Sequence, residues 1–391
     1  MLLDRISYIQ YRGQPAEWEV DGFTLGQINL IVGRNAVGKS RTLNIIAALA
    51  RRFLAGKADS IHTGEFTIVL HRGSDQWDYS FKFDNYEVLE EELKYNGEDV
   101  LKRGKGGVGQ IRSIVESDDE GAGSKSGQVR MKFKSPLKSL SVVAKRDSIQ
   151  HPYLEGLHDW ADALRHFQFG VAMNGGNLVI RVKRDDKMII EEPSAKDTEN
   201  LAPVLEMAIK EHGDVFKKSV IDDMTLLHYP ISDIVLRRPE NVVFHGYMPG
   251  ELTGVSVQEI GLQSMTDQTD MSAGMFRALS LISQVNYYML SNRSGCILID
   301  DIGEGLDFER SCILIDIIRH KAKQSSFQLI MSTNNRFVMN RVPLEEWCVL
   351  ERIGSKVRVR NYDNSARAFE RFKRTGLNNF DLLATNYLDG K

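Results

Sequence analysis

Eight residues near the N-terminus have the types and spacing of a phosphate-binding loop. The segment reads Gly33, Arg34, Asn35, Ala36, Val37, Gly38, Lys39, Ser40, which is a complete GxxxxGK[ST] pattern. It follows an apolar run at 28–32 and opens a segment at 39–53 with apolar residues at helical spacing. Glycines let backbone N–H groups turn toward phosphates, and the helix N-terminus adds its positive dipole end. The sequence therefore predicts a site for nucleotide phosphates.

The residue types in this loop assign separate tasks. Lys39 is expected to reach the β- and γ-phosphates, and the Ser40 hydroxyl is expected to ligate Mg²⁺. The predicted set of nucleotide contacts extends to Arg41, the next residue of the helix.

A second motif is an apolar strand that ends in two carboxylates, with the sequence Ile297, Leu298, Ile299, Asp300, Asp301. Asp300 at the end of a buried strand suits a Walker B aspartate, which helps to hold the magnesium ion. Asp301 is then placed to orient or deprotonate an attacking water. An isolated match of this kind is more often a solvated turn, but the phosphate loop in the same chain favours the functional interpretation.

A third motif places the chain in a class. Ser272, Ala273 and Gly274 open a probable helix and are followed by Arg277, and Gly274 precedes Asp300 by 26 residues. This order and spacing resemble the degenerate signature motif of ABC-like ATPases of the SMC, RecF and OLD type. Ser272 also suits a helix N-cap, and the two roles are compatible.

The resemblance implies ATP and Mg²⁺ as ligands and a dimer that closes on ATP. In that class the signature of one subunit, here Ser272, Ala273 and Gly274, contacts the γ-phosphate held by the other. Asp307 falls where the class has its D-loop, which contacts the partner subunit. The residues after Asn334 show no nuclease motif, so the resemblance is to OLD-like ATPases without a TOPRIM nuclease domain.

The chain departs from the class at two positions. Asn334 stands where a switch histidine is usual, and Asp301 stands where the catalytic carboxylate is usually glutamate. A shorter carboxylate and an amide can still position water, but we expect slow or partner-dependent hydrolysis.

Two further site residues follow from the resemblance. Arg12, after Tyr11, matches an arginine that lies near the nucleotide in RecF-like ATPases, although a plain surface arginine is nearly as common. Gln150 is the candidate for the Q-loop glutamine that ligates the metal.

Composition bounds the class of protein. The 391 residues are 42% hydrophobic with a formal net charge of -3, which is typical of a soluble globular chain and unlike a protein with a uniformly basic surface. The three cysteines are widely spaced, which predicts buried free thiols in a reducing compartment. Neither a signal sequence nor an apolar run of membrane-spanning length is found, and we expect a cytoplasmic protein without membrane contact.

The pattern of elements predicts an α/β fold in which N- and C-terminal halves form one P-loop ATPase head. We divide the chain into an N-terminal half at 1–150, a mainly helical insertion at 151–230 and a C-terminal half at 231–391. The seven glycines at 102–129 predict a mobile surface insertion. Strands are expected at 140–144 and 242–247, a helix at 152–167 and a hairpin at 177–191. The periodicity at 196–227 predicts one helix, or two broken near Gly213.

Three functional hypotheses remain open at this level. The first is an ATP-gated switch in a bacterial anti-phage or toxin-type system, with a separate effector protein. The second is a DNA-repair or DNA-end-binding ATPase, because basic clusters occur at 130–138, 181–184 and 356–374. The third is a scaffold that binds ATP but hydrolyses little of it.

Overall fold

A computed structural model describes most of the chain. The described residues are 1–55, 63–117, 125–168, 177–184, 187–190, 198, 200–242, 250–292 and 294–389.

Two sheets are built from nineteen strands within the described residues. The strands of the N-terminal part are β1 Leu2–Gln10, β2 Trp18–Thr24, β3 Ile28–Val32, β4 Gly64–Arg72, β5 Asp75–Asp84, β6 Glu87–Tyr95, β7 Glu98–Arg103, β8 Val108–Ser117 and β9 Lys125–Lys134. The remaining strands are β10 Arg165–Gln168, β11 Val179–Arg184, β12 Lys187–Ile190, β13 Ile231–Arg237, β14 Glu251–Glu259, β15 Thr266–Asp267, β16 Cys296–Asp300, β17 Gln328–Ser332, β18 Trp347–Ile353 and β19 Lys356–Arg360.

Helices flank the sheets. They are α1 Lys39–Ala55, α2 Ser141–Ala144, α3 Pro152–Ala163, α4 Leu201–Leu226, α5 Ala273–Leu290, α6 Phe308–Lys323, α7 Arg336–Arg341, α8 Tyr362–Lys373 and α9 Asp381–Ala384.

The large sheet joins the two halves of the chain. Its order is β10-β16-β17-β3-β18-β19-β2-β1-β4-β5-β6-β7-β8-β9. Strands β10, β16, β17, β3 and β18 are parallel neighbours. Because β3 of the N-terminal half lies between β17 and β18 of the C-terminal half, neither half completes the sheet alone. The predicted α/β head built from both halves is confirmed.

Apolar residues cover both faces of the parallel region. One core lies under α1 and α3, and includes Leu43, Ile46 and Leu298. The other lies under α4, α5 and α6. The strands between the two cores are buried on both faces, which explains why β3 and β17 are buried throughout. Cys296 and Cys348 are buried free thiols and Cys312 is a partly buried one, in line with the prediction from the cysteine spacing.

The glycine-rich stretch at 102–129 is not a structureless insertion where the structure describes it. Residues 108–117 and 125–134 form β8 and β9, which extend an antiparallel meander that begins at β4. Gly106 and Gly107 have positive φ values of 77° and 76°, so the glycines serve the turn between β7 and β8. Residues 118–124 lie outside the described part.

Several local predictions are corrected by the same description. The strand expected at 140–144 is the short helix α2, and the helix expected to reach 167 ends at Ala163, before β10. The hairpin at 177–191 is present as β11 and β12. Helix α4 has a non-helical residue at Gly213, with φ 53° and ψ -131°, which is the second of the two predicted options. Residues 243–247 of the expected strand at 242–247 lie outside the described residues.

The middle of the chain contributes to both sheets. Strand β10 pairs with β16 in the large sheet, whereas β11 and β12 join β14 and β13 in the smaller one. The predicted boundaries of the insertion, at 151 and 230, therefore stay a prediction. In the described residues, no helix is both long and apolar enough to cross a membrane.

Candidate functional site

The loop at 33–40 connects a buried strand to a helix, as its pattern requires. Strand β3 ends at Val32 and α1 begins at Lys39. Within the loop the Lys39 ammonium donates to the carbonyl oxygens of Gly33, at 2.9 Å, and Arg34, at 3.3 Å. The side chain therefore lies folded over the loop, in the position from which it can exchange carbonyl oxygens for phosphate oxygens.

Glycine is required in this loop for close packing as well as for conformation. Gly38 has φ of 108°, and a Cβ there would lie 2.5 Å from Cζ2 of Trp18. The indole of Trp18 also contacts two guanidinium groups, at 4.1 Å from Arg41 and 4.5 Å from Arg352. Arg352 also donates to the Ala36 carbonyl oxygen at 3.4 Å. Trp18 and Arg352 thus pack against the loop, and nothing in the local sequence pattern identified either residue.

Asp300 is the hub of the site. Its Oδ1 accepts a hydrogen bond from the Ser40 hydroxyl at 3.1 Å and another from the Ser332 hydroxyl. Asp300 ends β16, Ser332 ends β17, and Ser40 lies at the start of α1 after β3. The carboxyl ends of these three strands lie at the same edge of the parallel sheet. Asp300 and Ser40 are thus brought together as the two motifs predict, and Ser332 is an additional residue of the site.

Asp301 and Asn334 are also brought together. The Asn334 amide donates to Oδ1 of Asp301 at 3.3 Å, and the backbone N–H of Asp301 donates to the Ser332 hydroxyl at 3.0 Å. Asp301 has φ of 54°, a left-handed conformation that aspartate tolerates better than most residues. This turn aims the Asp301 carboxylate toward Asn334.

The charges of the site influence one another. Burial, together with the neighbouring carboxylates of Asp300 and Glu304, raises the pKa of Asp301 above its ordinary value, while Lys39 opposes the shift. Burial lowers the pKa of Lys39, and Asp301 and Asp300 oppose that shift. An ammonium and two carboxylates therefore influence one another within one partly buried site, and this mixture of charges suits a bound anion together with a cation.

The structure places a different glutamine at this site from the one predicted. Gln168, the last residue of β10, pairs in register with Asp300. Gln150 instead lies in a turn after α2, where its N–H donates to Asp147 and its carbonyl accepts from Ile114 of β8. Strand β8 is far along the sheet order from β16. Gln150 therefore does not lie beside Asp300 in the sheet, and Gln168 is a further candidate for the glutamine ligand. The sequence did not indicate Gln168 because β10 is only four residues long and adjoins a helix.

Arg12 lies at the surface in a bidentate pair. Its Nε and Nη2 donate to Glu65 at 3.1 and 2.9 Å, and its side chain is 59% exposed. Two residues earlier, the side chain of Gln10 accepts a hydrogen bond from Arg41 of α1 at 2.6 Å. The role of Arg12 in nucleotide binding stays a prediction.

The signature residues form a second arrangement. Ser272 is the N-cap of α5, and its hydroxyl accepts from the Met275 N–H at 3.2 Å. A Cβ at Gly274 would lie 2.8 Å from the Gly305 carbonyl oxygen and 3.3 Å from the Tyr229 hydroxyl. Gly274 therefore has no room for a side chain, and the start of α5 packs tightly on the segment that follows Asp301.

The predicted D-loop residue supports this packing. Asp307 caps α6 by accepting from the Arg310 N–H at 2.9 Å. The Arg310 guanidinium binds the Asp307 carboxylate at 2.6 Å and stacks 4.3 Å from the Tyr229 ring. Arg277 of α5 donates to the Glu304 carbonyl oxygen at 3.2 Å. The start of α5 and the segment that follows Asp301 are thus packed together in one continuous surface.

Oxygen atoms of the right type for Mg²⁺ converge near the phosphate loop. Magnesium favours one or two carboxylates together with hydroxyl, phosphate and water oxygens. The Ser40 hydroxyl and the Asp300 carboxylate are already 3.1 Å apart, and Gln168 lies on the adjacent strand. These residues fit the ion.

Solved structures similar to this chain include SMC heads. An SMC head bound to the C-winged-helix domain of ScpA superposes with a TM-score of 0.51 and 13% identity, covering 92% of this chain and 98% of that chain. The SMC head domain from Thermotoga maritima gives 0.45 and 12%, covering 92% and 99%. An SMC head with an extended coiled coil, bound to the C-terminal domain of ScpA derived from Pyrococcus furiosus, gives 0.47 and 12%, covering 95% and 99%.

The first of these superpositions decides the fold. This chain has the fold of an SMC head domain. The likeness extends over 92% of this chain and 98% of that chain. No protein-family description and no curated protein matches the sequence. An identity of 13% shows the fold alone, and the roles of the individual site residues stay predictions.

Proposed function

We propose that this protein binds Mg²⁺-ATP at the loop of residues 33–40 and hydrolyses it. The observation that carries this proposal is the hydrogen bond between Ser40 and Asp300. It joins the two sequence motifs, 260 positions apart, at the one edge of the sheet where the loop could hold phosphates. The SMC-head fold supports the same assignment.

Each residue of the site has a separate role in this proposal. Lys39 and the N–H groups of the loop bind the β- and γ-phosphates, and Ser40, Asp300 and Gln168 hold the magnesium ion. The ion neutralises phosphate charge when it is bound. Asp301 orients and deprotonates the attacking water, and Asn334 fixes the Asp301 carboxylate through the bond at 3.3 Å.

We propose that hydrolysis takes place in a head-to-tail dimer. The N-terminus of α5, with Ser272, Ala273 and Gly274, has a free positive dipole end that suits an anion. Gly274 is packed against Gly305, Leu306 and Tyr229. In the proposed dimer a second copy would present this surface to the γ-phosphate, and Asp307 on the same surface would contact the partner copy.

Turnover is expected to be slow without a partner. The shorter side chain of Asp301 and the amide of Asn334 position an attacking water less favourably than a glutamate with a histidine would. The same features favour, as an alternative, a regulatory scaffold that closes on ATP and hydrolyses little of it. Either form acts as an ATP-gated switch.

The output of the switch is proposed to be a separate effector protein, in a bacterial anti-phage or toxin-type system related to the OLD-like ATPases. The SMC head of similar fold is bound to another protein, ScpA, which illustrates the principle. The alternative, a RecF-like ATPase that binds DNA ends, rests on basic clusters, and several of their members are already paired with carboxylates: Arg181 with Glu206, Lys356 with Glu19, Arg360 with Glu351 and Lys373 with Glu345.

Steady-state ATP turnover with and without double-stranded DNA tests these proposals. Slow turnover that is indifferent to DNA supports the effector-gated switch, whereas clear stimulation by DNA supports the alternative. Lys39→Ala is expected to abolish nucleotide binding, measured by titration with a fluorescent ATP analogue. Unchanged affinity in that variant would overturn the assignment of the phosphate loop.

Asp301→Asn separates binding from hydrolysis. We expect this variant to bind ATP normally and to accumulate as an ATP-bound dimer, detected by light scattering. Turnover at the unmodified rate would transfer the base role to another carboxylate, and Glu304 is the nearest in sequence apart from Asp300, which is assigned to the metal ion.

A further inference from the structure

Strand β9 is the last strand of the large sheet. It pairs with β8 over its whole length, from Lys125 to Lys134, and no other strand of the described residues pairs with its outer edge. An unpaired edge presents a row of N–H and C=O groups to which another strand can add.

The hydrogen-bond register identifies which residues face outward. The N–H of Ile114 in β8 donates to Gln150 and is therefore directed away from β9. Ile114 and its partner Gln128 form a non-hydrogen-bonded pair, and such pairs alternate along an antiparallel ladder. Arg130, Lys132 and Lys134 occupy the equivalent positions of β9, so their backbone groups point to the free edge.

The same three residues form a cationic face. Their side chains alternate on one side of the strand and are exposed. Arg130 lies opposite Arg112 of β8, and like charges in this position repel. Arg112 is paired with Glu98, but Arg130, Lys132 and Lys134 have no carboxylate partner in the described part of the chain.

The opposite face of β9 is apolar. Val129 and Met131 are 49% and 48% exposed. They lie opposite Ser113 and Ile111, which are buried. The apolar face of the core thus continues onto β9 and remains half uncovered there, as it would if one more strand completed it.

We propose that the edge of β9 binds an extended acidic segment of a partner protein by strand addition. Alternate acidic residues of that segment would face Arg130, Lys132 and Lys134, and the apolar residues between them would cover Val129 and Met131. The outward N–H and C=O groups of β9 would complete the backbone ladder.

Charge and burial favour this occupant over two others. A second copy of β9 would place cations opposite cations, so self-pairing is disfavoured. Phosphates of DNA would neutralise the cations but would leave Val129 and Met131 uncovered.

A defined probe tests the proposal in the full-length protein. The probe is a fluorescein-labelled eight-residue peptide of alternating Glu and Val, and its control has the same composition with the valines and glutamates in separate blocks. We expect the alternating peptide to bind at least about fivefold more tightly by fluorescence anisotropy, since only it matches both faces. Equal affinities, or no binding of either peptide, would overturn the proposal.

Two substitutions at one position separate backbone from charge. Lys132→Ala removes a cation and is expected to weaken binding about two- to fivefold. Lys132→Pro also removes the outward N–H without breaking the bonds to β8, and we expect a further loss of about fivefold. Equal effects of the two variants would exclude strand addition.

Charge reversal and competing ligands complete the test. Lys132→Glu is expected to reject the glutamate peptide and to gain affinity for a Lys-Val peptide of the same length.

Binding of a 20-base-pair DNA that Lys132→Ala and Lys132→Pro weaken equally would overturn the proposal in favour of nucleic acid. Self-association that Lys132→Pro abolishes would overturn it in favour of pairing between copies. ATP turnover, measured in parallel, is expected to stay unchanged because β9 and β16 lie near opposite ends of the sheet.

Discussion

The Asn334 amide donates a hydrogen bond to the carboxylate of Asp301 at 3.3 Å. The two residues follow adjacent parallel strands, and the bond holds the Asp301 side chain in one orientation. Asp301 lies in a left-handed turn with φ of 54°, so the carboxylate is directed by its backbone and by Asn334 together.

Asn334→Ala is expected to lower kcat for ATP roughly 10- to 100-fold with little change in KM, because a misplaced base loses the aligned geometry while the phosphates remain bound. Asn334→His is the matched variant, since imidazole can donate to the same oxygen, and it should retain more activity than alanine. A rise in KM with unchanged kcat for Asn334→Ala would instead assign Asn334 to nucleotide binding.

Two glutamines provide a test with an internal control. Gln168 pairs in register with Asp300, whereas Gln150 lies in a turn beside β8. Gln168→Ala is expected to raise the Mg²⁺ concentration needed for half-maximal turnover roughly tenfold, because the ion loses an oxygen ligand and even outer-shell partners contribute that much to metal affinity. Gln150→Ala should leave it unchanged. The reverse result would restore the original assignment.

These glutamines also show what the sequence could and could not predict. The loop at 33–40, Asp300, Asp301 and the signature helix were predictable because each motif is contiguous and lies at the end of an apolar run. Gln168 was not, because its place is set by pairing with a strand about 130 residues away. The sequence near Gln168 is a four-residue strand that directly follows α3.

The meander illustrates a second limit. Gly104, Gly106, Gly107 and Gly109 suggested a loop, yet they occupy a tight turn and a close strand contact. A Cβ at Gly109 would lie 2.5 Å from the Lys102 carbonyl oxygen. Glycine content alone does not distinguish a turn inside a hairpin from an unstructured segment, because both need backbone freedom.

The signature surface gives a third prediction. Ser272→Arg places a long cation at the N-terminus of α5 and is expected to block ATP-dependent dimerisation while sparing ATP affinity. Ser272→Thr keeps a hydroxyl that can cap the helix and should dimerise. Sedimentation of each variant with ATP and Mg²⁺ measures the dimer fraction. A Ser272→Arg variant that still dimerises would discredit the role of the signature.

The fourth prediction concerns Arg52 in the last turn of α1. Its side chain is 4% exposed, and neither Nη1 nor Nη2 has a hydrogen-bond partner among the residues that the structure describes. The guanidinium lies 4.4 Å from the Phe83 ring, but burial lowers the pKa of Arg52 to about 10, which means that the fold disfavours its charged form.

Arg52→Met keeps most of the volume and removes the buried charge. We expect the free energy of unfolding to rise by about 1 to 2 kcal/mol, since an unsatisfied buried polar group carries a cost of that order. Arg51→Met is the control, because Arg51 is exposed on the same turn and should change stability little. Urea denaturation of the three proteins compares them directly. A less stable Arg52→Met variant would mean that the aromatic contact with Phe83 outweighs the cost of burying the cation.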